Sequence, residues 1–236
     1  MGRRRRKPLP QEPVEATIES LAHDGKGITH SDGKVVFVPG TLPEEEIIYK
    51  LTGRRRNFDS GEVVEVITPS PDRVAPPCPH FSGCGGCSLQ QMRADAQIHF
   101  KQQTLIDNFS RLGKVTAESI LPPLTGPVDG YRRKARLGVR YVPKKGGALV
   151  GFREKQSGYL TVMDSCSVLV PEVGEKIGAL RDLITSLDGC NKIAQIEVAC
   201  DDNHCLLVFR NLEPLSEDDR SRLDQFGKQH ELKIYL

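Results

Sequence analysis

The sequence lacks any apolar run approaching the roughly 18 residues that a membrane-spanning helix needs. It also lacks an excess of either charge. Lys and Arg total 33 against 31 Asp and Glu, a formal net charge of +2, which excludes a chain that is basic throughout and leaves only local basic patches. Behind Arg3, Arg4, Arg5, Arg6 and Lys7 there is no apolar segment of the kind a secretory signal requires. Residues 1–12 therefore read as a basic, disordered arm, and the expected location is cytoplasmic. The 236 residues are 38% hydrophobic, enough for one large or two modest domains with a real core. Seven Cys are present, and a reducing compartment does not favour disulfides, so a tight Cys grouping points to a metal or a cluster.

The fold class predicted is α+β. Residues 13–70 carry short strand signals broken by Gly and Pro: Thr17 to Leu21, Val35 to Val38 after the turn Ser31-Asp32-Gly33, Glu46 to Leu51, and Gly61 to Ile67. That spacing predicts an OB-like β-barrel. A Pro-rich linker follows, and residues 71–236 read as a mixed α/β domain, incomplete at its C-terminal end. From Gln90 to Leu112 the apolar positions Met92, Ala96, Phe100, Leu105, Phe109 and Leu112 step mostly by four, predicting a helix with one buried face. A hairpin is expected around Lys144 to Gly147, a strand at Tyr159 to Val162, and a helix from Val173 to Leu187 with Pro171 near its first turn. Strands at Ile193 to Ala199 and Cys205 to Phe209, a helix capped by Ser216 and a strand at Leu232 to Leu236 complete the pattern. Ending within a strand suggests a fragment of something longer.

The sharpest feature is Cys78-Pro79-His80-Phe81-Ser82-Gly83-Cys84-Gly85-Gly86-Cys87, a C-x5-C-x2-C pattern. A fourth thiolate must come from elsewhere, and Cys166 is the best candidate, because Cys190, Cys200 and Cys205 lie in apolar segments and read as buried thiols. Zinc favours paired knuckles, and only Cys84 and Cys87 have that spacing. A four-iron cluster accepts three close Cys plus a remote one, with Gly83, Gly85 and Gly86 letting backbone N–H groups turn toward sulfur. Iron–sulfur is the leading reading, with zinc or no metal as alternatives.

Two basic groups stand out. Arg54-Arg55-Arg56, with Asn57 and Phe58 beside it, lies between two predicted barrel strands, where cations meet phosphate and aromatics meet bases; a solvated loop is the alternative. In Tyr131-Arg132-Arg133-Lys134-Ala135-Arg136, strand alternation would set Arg132, Lys134 and Arg136 on one face and Arg133 with Ala135 on the other. Tyr131 is placed to stack on an extruded base.

At these residues the chain resembles the bacterial 23S ribosomal RNA (uracil-5-)-methyltransferases of the type that carries a TRAM domain and an iron–sulfur cluster. The matching stretches are Gly25-Lys26-Gly27, Val36-Phe37-Val38-Pro39-Gly40, the Cys78 to Cys87 segment, Gly130 to Arg136, Gly151-Phe152-Arg153 and Cys166. The resemblance implies a TRAM barrel, then a central domain with a 4Fe-4S cluster on Cys78, Cys84, Cys87 and Cys166. It also implies a Rossmann-like methyltransferase domain that binds S-adenosyl-L-methionine and is expected to be absent from this chain. No Gly-rich cofactor loop follows a strand here, and no Cys follows Cys205, so the family's late nucleophile has no counterpart and no catalytic residue is assigned. The expectation is therefore the RNA-recognition part of the enzyme, inactive alone, monomeric, with 23S ribosomal RNA as partner. The alternatives are a non-catalytic iron–sulfur RNA-binding protein, a zinc-stabilised adaptor, or a transfer RNA (uracil-5-)-methyltransferase.

Overall fold

The structure, a computed structural model, describes residues 9–10 and 12–236. The basic residues Arg3 to Lys7 lie outside the described residues. No helix among the described residues is long and apolar enough to cross a membrane. The chain divides into two compact units, Met1–Pro76 with Ser88–Leu124, and Pro77–Cys87 with Thr125–Leu236. It thus crosses between them three times, where the sequence reading placed a single boundary after residue 70.

The first unit holds β1 (Val14–Thr17), β2 (Ser20–Leu21), β3 (Gly27–Ser31), β4 (Lys34–Val38), β5 (Glu46–Arg54) and β6 (Phe58–Thr68). Their order in the sheet is β1-β5-β6-β4-β3-β2. The two edge strands are separated in sequence only by Ile18 and Glu19, so the sheet must curl until its edges meet, which makes a barrel. Its core is Ile18, Val36, Val38, Ile47 and Tyr49. Asp32 (φ 51°) and Gly33 (φ 72°) make the two-residue turn from β3 to β4, a conformation that Asp and Gly tolerate.

Residues 88–97 return to this unit because backbone bonds run from Val74 N to Gln91 O (2.8 Å) and from Arg93 N to Asp72 O (2.9 Å). The helix predicted over 90–112 forms as α1 (Ala94–Asn108) continued by a wider turn over Phe109–Gly113. It has no buried residue, contrary to expectation. Leu105, Phe109 and Leu112 instead join Val115, Ile120 and Leu124 in lining an open apolar trough of about 710 Å³ or lying exposed beside it. The stripe is present, but among the described residues it lines an open trough and has no buried member.

The second unit holds β7 (Lys134–Val142), β8 (Gly147–Gly151), β9 (Ile193–Cys200), β10 (Cys205–Asn211) and β11 (Leu232–Tyr235), ordered β11-β10-β9-β7-β8. Its helices are α2 (Pro171–Gly174), α3 (Ile177–Ser186) and α4 (Glu217–Gln229). Leu137, Ile196, Val198, Leu207 and Phe209 form one core with Ile177, Leu180 and Ile184 of α3 and Leu223 and Phe226 of α4. Ser216 caps α4 by accepting a bond from Asp219 N at 3.1 Å.

Three expectations are corrected here. The single helix from Val173 to Leu187 is two, α2 and α3. Residues 159–162 contribute only an isolated bridge, Leu160 to Arg153, because they pair with the loop after β8 and not with a strand of the sheet. Cys200 and Cys205, read as buried thiols, are joined in a disulfide, because the β9–β10 hairpin sets them directly opposite each other.

Candidate functional site

The Cys78–Cys87 segment is a chain of tight turns: Phe81 N bonds Cys78 O (3.1 Å), and Cys84 N bonds His80 O (2.8 Å). The segment 152–155 clasps it. Gly85 N donates to Arg153 O and Lys155 N to Gly83 O, both at 2.8 Å, and Cys84 and Glu154 form an antiparallel bridge. A Cβ on Gly85 would sit 2.9 Å from Arg153 O, so this close backbone approach requires glycine. Gly86 N lies 3.4 Å from Cys84 Sγ, an N–H directed at sulfur.

Cys166 arrives from the loop before α2. Its N–H bonds Gly174 O at 2.9 Å, and a Cβ on Gly174 would collide with Cys166 O. Cys78, Cys84 and Cys166 are buried and Cys87 is half-buried. Burial pushes the Cys166 thiol up from its ordinary value, and the neighbouring Cys78 adds to that; the backbone N–H groups of Leu169 and Val168 and the Arg132 charge oppose it. Burial likewise lowers the Lys155 ammonium, against an opposing pull from Cys84 and Cys87. Lys155 Nζ also lies 3.8 Å from the centroid of the Phe81 ring.

The four sequence-predicted thiols therefore lie in one unit, Cys78 within electrostatic reach of Cys166, and Cys84 and Cys87 both within reach of Lys155. Among the described residues, no three His, Cys, Asp or Glu side chains stand as a group that could hold a metal ion. What fits a metal is the chemistry of the donor set: soft thiols only, with backbone N–H groups turned toward sulfur and two cations beside them.

The basic residues are placed as follows. In the first unit, Arg54 ends β5, and Arg55 and Arg56 occupy the turn into β6, all three exposed. Lys34 Nζ holds this turn from below through Arg55 O (2.5 Å) and Asp59 (2.6 Å), while Phe58 packs edge-on against Phe37. In the second unit, Tyr131 is exposed, and Lys134 and Arg136 share the solvent face of β7. Arg132 does not join them. It precedes β7, bridges to Leu169, and turns its guanidinium to Gly86 O (3.1 Å) and the Phe152 ring. Arg133 donates to Asp201 O (2.6 Å) and pairs with Asp202 (3.0 Å). Alternation inside a strand was the wrong rule for Arg132, because the strand begins at Lys134.

Sequence reasoning missed Lys155 and Gly174. Neither has a local signal: Lys155 reaches the segment through a backbone contact with Gly83, 72 residues away, and Gly174 touches Cys166 across the loop before α2.

Comparison with known proteins adds kinship to this geometry. Residues 11–66 match the TRAM domain. The 23S rRNA (uracil(1939)-C(5))-methyltransferase RlmD of Methylococcus capsulatus is 51% identical over 237 residues, covering 100% of this chain and 54% of that protein. The RlmD proteins of Alcanivorax borkumensis (50% identical, 99% of this chain, 52% of theirs) and Francisella tularensis subsp. novicida (48%, 100% and 53%) match in the same way. The chain thus spans about half the length of the curated relatives it matches. Among solved structures, the tRNA (uracil-54, C5)-methyltransferase of Pyrococcus abyssi, in complex with S-adenosyl-L-homocysteine, has a similar fold. Its TM-score is 0.63 at 20% identity, over 88% of this chain and 48% of that one.

Proposed function

This chain is homologous throughout to the 23S rRNA (uracil(1939)-C(5))-methyltransferases, spanning about half of their length, and on that premise we propose that it is the RNA-recognising part of an S-adenosyl-L-methionine-dependent enzyme that methylates C5 of a uridine in 23S ribosomal RNA. The observation that carries this reading is identity near one half sustained over the whole chain, together with the TRAM match.

Within that enzyme, the residues of this chain bind and orient RNA. Arg54, Arg55 and Arg56 on the barrel turn, and Lys134 and Arg136 on β7, offer cations to phosphate, and Tyr131 offers a ring to a base. Arg133 contributes from its ion pair with Asp202. S-adenosyl-L-methionine supplies the methyl group, and no residue of this chain is assigned to it. The chain by itself binds RNA without transferring methyl, and acts as a cytoplasmic monomer.

Cys78, Cys84, Cys87 and Cys166 are the residues that would hold a 4Fe-4S cluster. Three closely spaced thiols and one remote thiol suit four iron atoms better than the paired knuckles of zinc. Uracil C5 methylation transfers no single electron, so a cluster here ties the Cys78–Cys87 loop to the Cys166 loop, a structural role rather than a redox one.

The test is anaerobic purification of the chain, with iron, sulfide and zinc measured alongside its absorption spectrum. About four irons and four sulfides per chain are expected, falling when any one of the four Cys is replaced by Ser. One zinc per chain, or no metal, overturns the cluster. Failure of the chain to bind a 23S ribosomal RNA fragment overturns the RNA reading.

A further inference from the structure

β8 is buried throughout, whereas β7, β9, β10 and β11 alternate and bury one face of the second unit's sheet. On the other, the register sets Lys134, Ala199, Leu206 and Lys233 side by side across β7, β9, β10 and β11. Two residues further along lie Arg136, Glu197, Val208 and Tyr235, and beyond them Gln195 beside Arg210. Their strand neighbours Ala135, Leu137, Ile196, Val198, Leu207 and Phe209 pack into or against the core, so alternation holds the first set outward.

These three rows hold four cations and one carboxylate, Glu197, which Arg210 already engages at 3.1 Å. Its middle is an apolar strip of Ala199, Leu206 and Val208, all half-buried, and Tyr235 is 52% exposed at its far edge. With strands about 4.8 Å apart, the cations of β7 and the Lys233–Tyr235 pair of β11 stand about 14 Å from each other, on either side of the strip.

We propose that this open sheet face is a binding platform for single-stranded RNA, which crosses the strands from β7 to β11 with phosphates on Lys134, Arg136, Arg210 and Lys233 and a base stacked on Tyr235. It rests on the RNA-binding reading above and extends it to four residues which that reading does not use: Arg210, Lys233, Tyr235 and the strip residue Leu206. The charge imbalance selects a polyanion. The apolar strip and exposed ring select one with accessible base faces, and a duplex, whose bases are stacked on each other, offers none. An acidic protein surface would match the cations and leave the strip and Tyr235 unmatched.

The experiment titrates the full chain against labelled oligouridylate, and against an oligoadenylate–oligouridylate duplex, by fluorescence anisotropy at several salt concentrations. Single-stranded RNA is expected to bind more tightly. Replacing Lys134, Arg136 and Lys233 together by Ala should raise Kd more than tenfold and reduce the salt slope by about 0.7 for each phosphate no longer neutralised. Tyr235→Ala should raise Kd about fivefold or more with the slope unchanged, and Tyr235→Phe should bind as the unaltered chain does. Arg111→Ala, an exposed cation of the first unit, is the control that should change nothing. If Arg55→Ala weakens binding and the sheet variants do not, the RNA reading stands and the platform is overturned. Equal affinity for the duplex, or sheet variants that change oligomeric state instead of RNA affinity, also overturns it. No binding of the unaltered chain to either probe overturns both readings.

Discussion

Arg132 Nη2 donates to the carbonyl oxygen of Gly86 at 3.1 Å, across 46 residues of sequence, while the same guanidinium lies 5.6 Å from the centroid of the Phe152 ring. One side chain thereby ties the strand that starts the second sheet to the last turn of the Cys78–Cys87 segment. Arg132→Ala removes the charge-assisted bond and the ring contact together, and is expected to cost about 2 kcal/mol. Arg132→Lys should recover less than half, since an ammonium has no planar fork to serve both partners. Urea midpoints of the two variants check this, with RNA affinity measured alongside. A role confined to phosphate binding would lower affinity and leave the midpoint unmoved.

Glu45 is fully buried in the first unit and saturated with partners. It accepts from Leu42 N (2.8 Å), Ser70 N (3.2 Å) and the Arg73 guanidinium, whose Nη2 also reaches Gly40 O at 2.7 Å. Removing one partner leaves a buried charge uncompensated, so Glu45→Ala is expected to destabilise the barrel by about 3–5 kcal/mol. Amide exchange should show residues 14–68 opening first. Exchange protection equal to that of the unaltered chain would remove this pair as the clamp on the barrel.

The Cys200–Cys205 disulfide closes a loop with a sequence separation of five. Loop-closure entropy alone gives such a bridge about 2 kcal/mol. Reductant is therefore expected to lower the unfolding midpoint, and Cys200→Ser should match the reduced chain and respond to reductant no further. Alkylation followed by mass measurement counts the two thiols released.

Acid should weaken the second unit through two carboxylates. The backbone N–H groups of Asn203 and then His204 hold Asp201 below its ordinary 3.8. The Arg210 guanidinium holds Glu197 below its ordinary 4.5. A carboxyl with a lowered folded-state value binds fewer protons when native, so its contribution is present above the unfolded value and lost as pH falls through the folded one. Stability should thus be level above 4.5 and decline below 3.8, and Asp201→Asn should flatten the decline. Urea midpoints across that acid range, for both chains, make the measurement.

Much of this molecule is written in short-range chemistry. Asp32-Gly33 states its turn because few other pairs accept two positive φ angles, and the strands on either side follow from alternation. Ser216 states its helix start, and Cys78, Cys84 and Cys87 place three thiols within one short segment. These patterns act within a few residues, so the sequence alone determined the barrel strands and the sheet hairpins. Tertiary structure decided what depends on distant partners. The helix over 94–108 carries an apolar stripe, yet whether a stripe is buried depends on what packs on it, and here its own unit leaves it open. Cys200 and Cys205 have no signal for pairing until a hairpin register brings them opposite each other. Arg132 reads as one of three cations in a row, and only the start of β7 at Lys134 frees it to turn toward Gly86. The face shared by Lys134, Arg136, Arg210 and Lys233 exists in no stretch of sequence, because strand pairing alone sets residues about a hundred positions apart into one row.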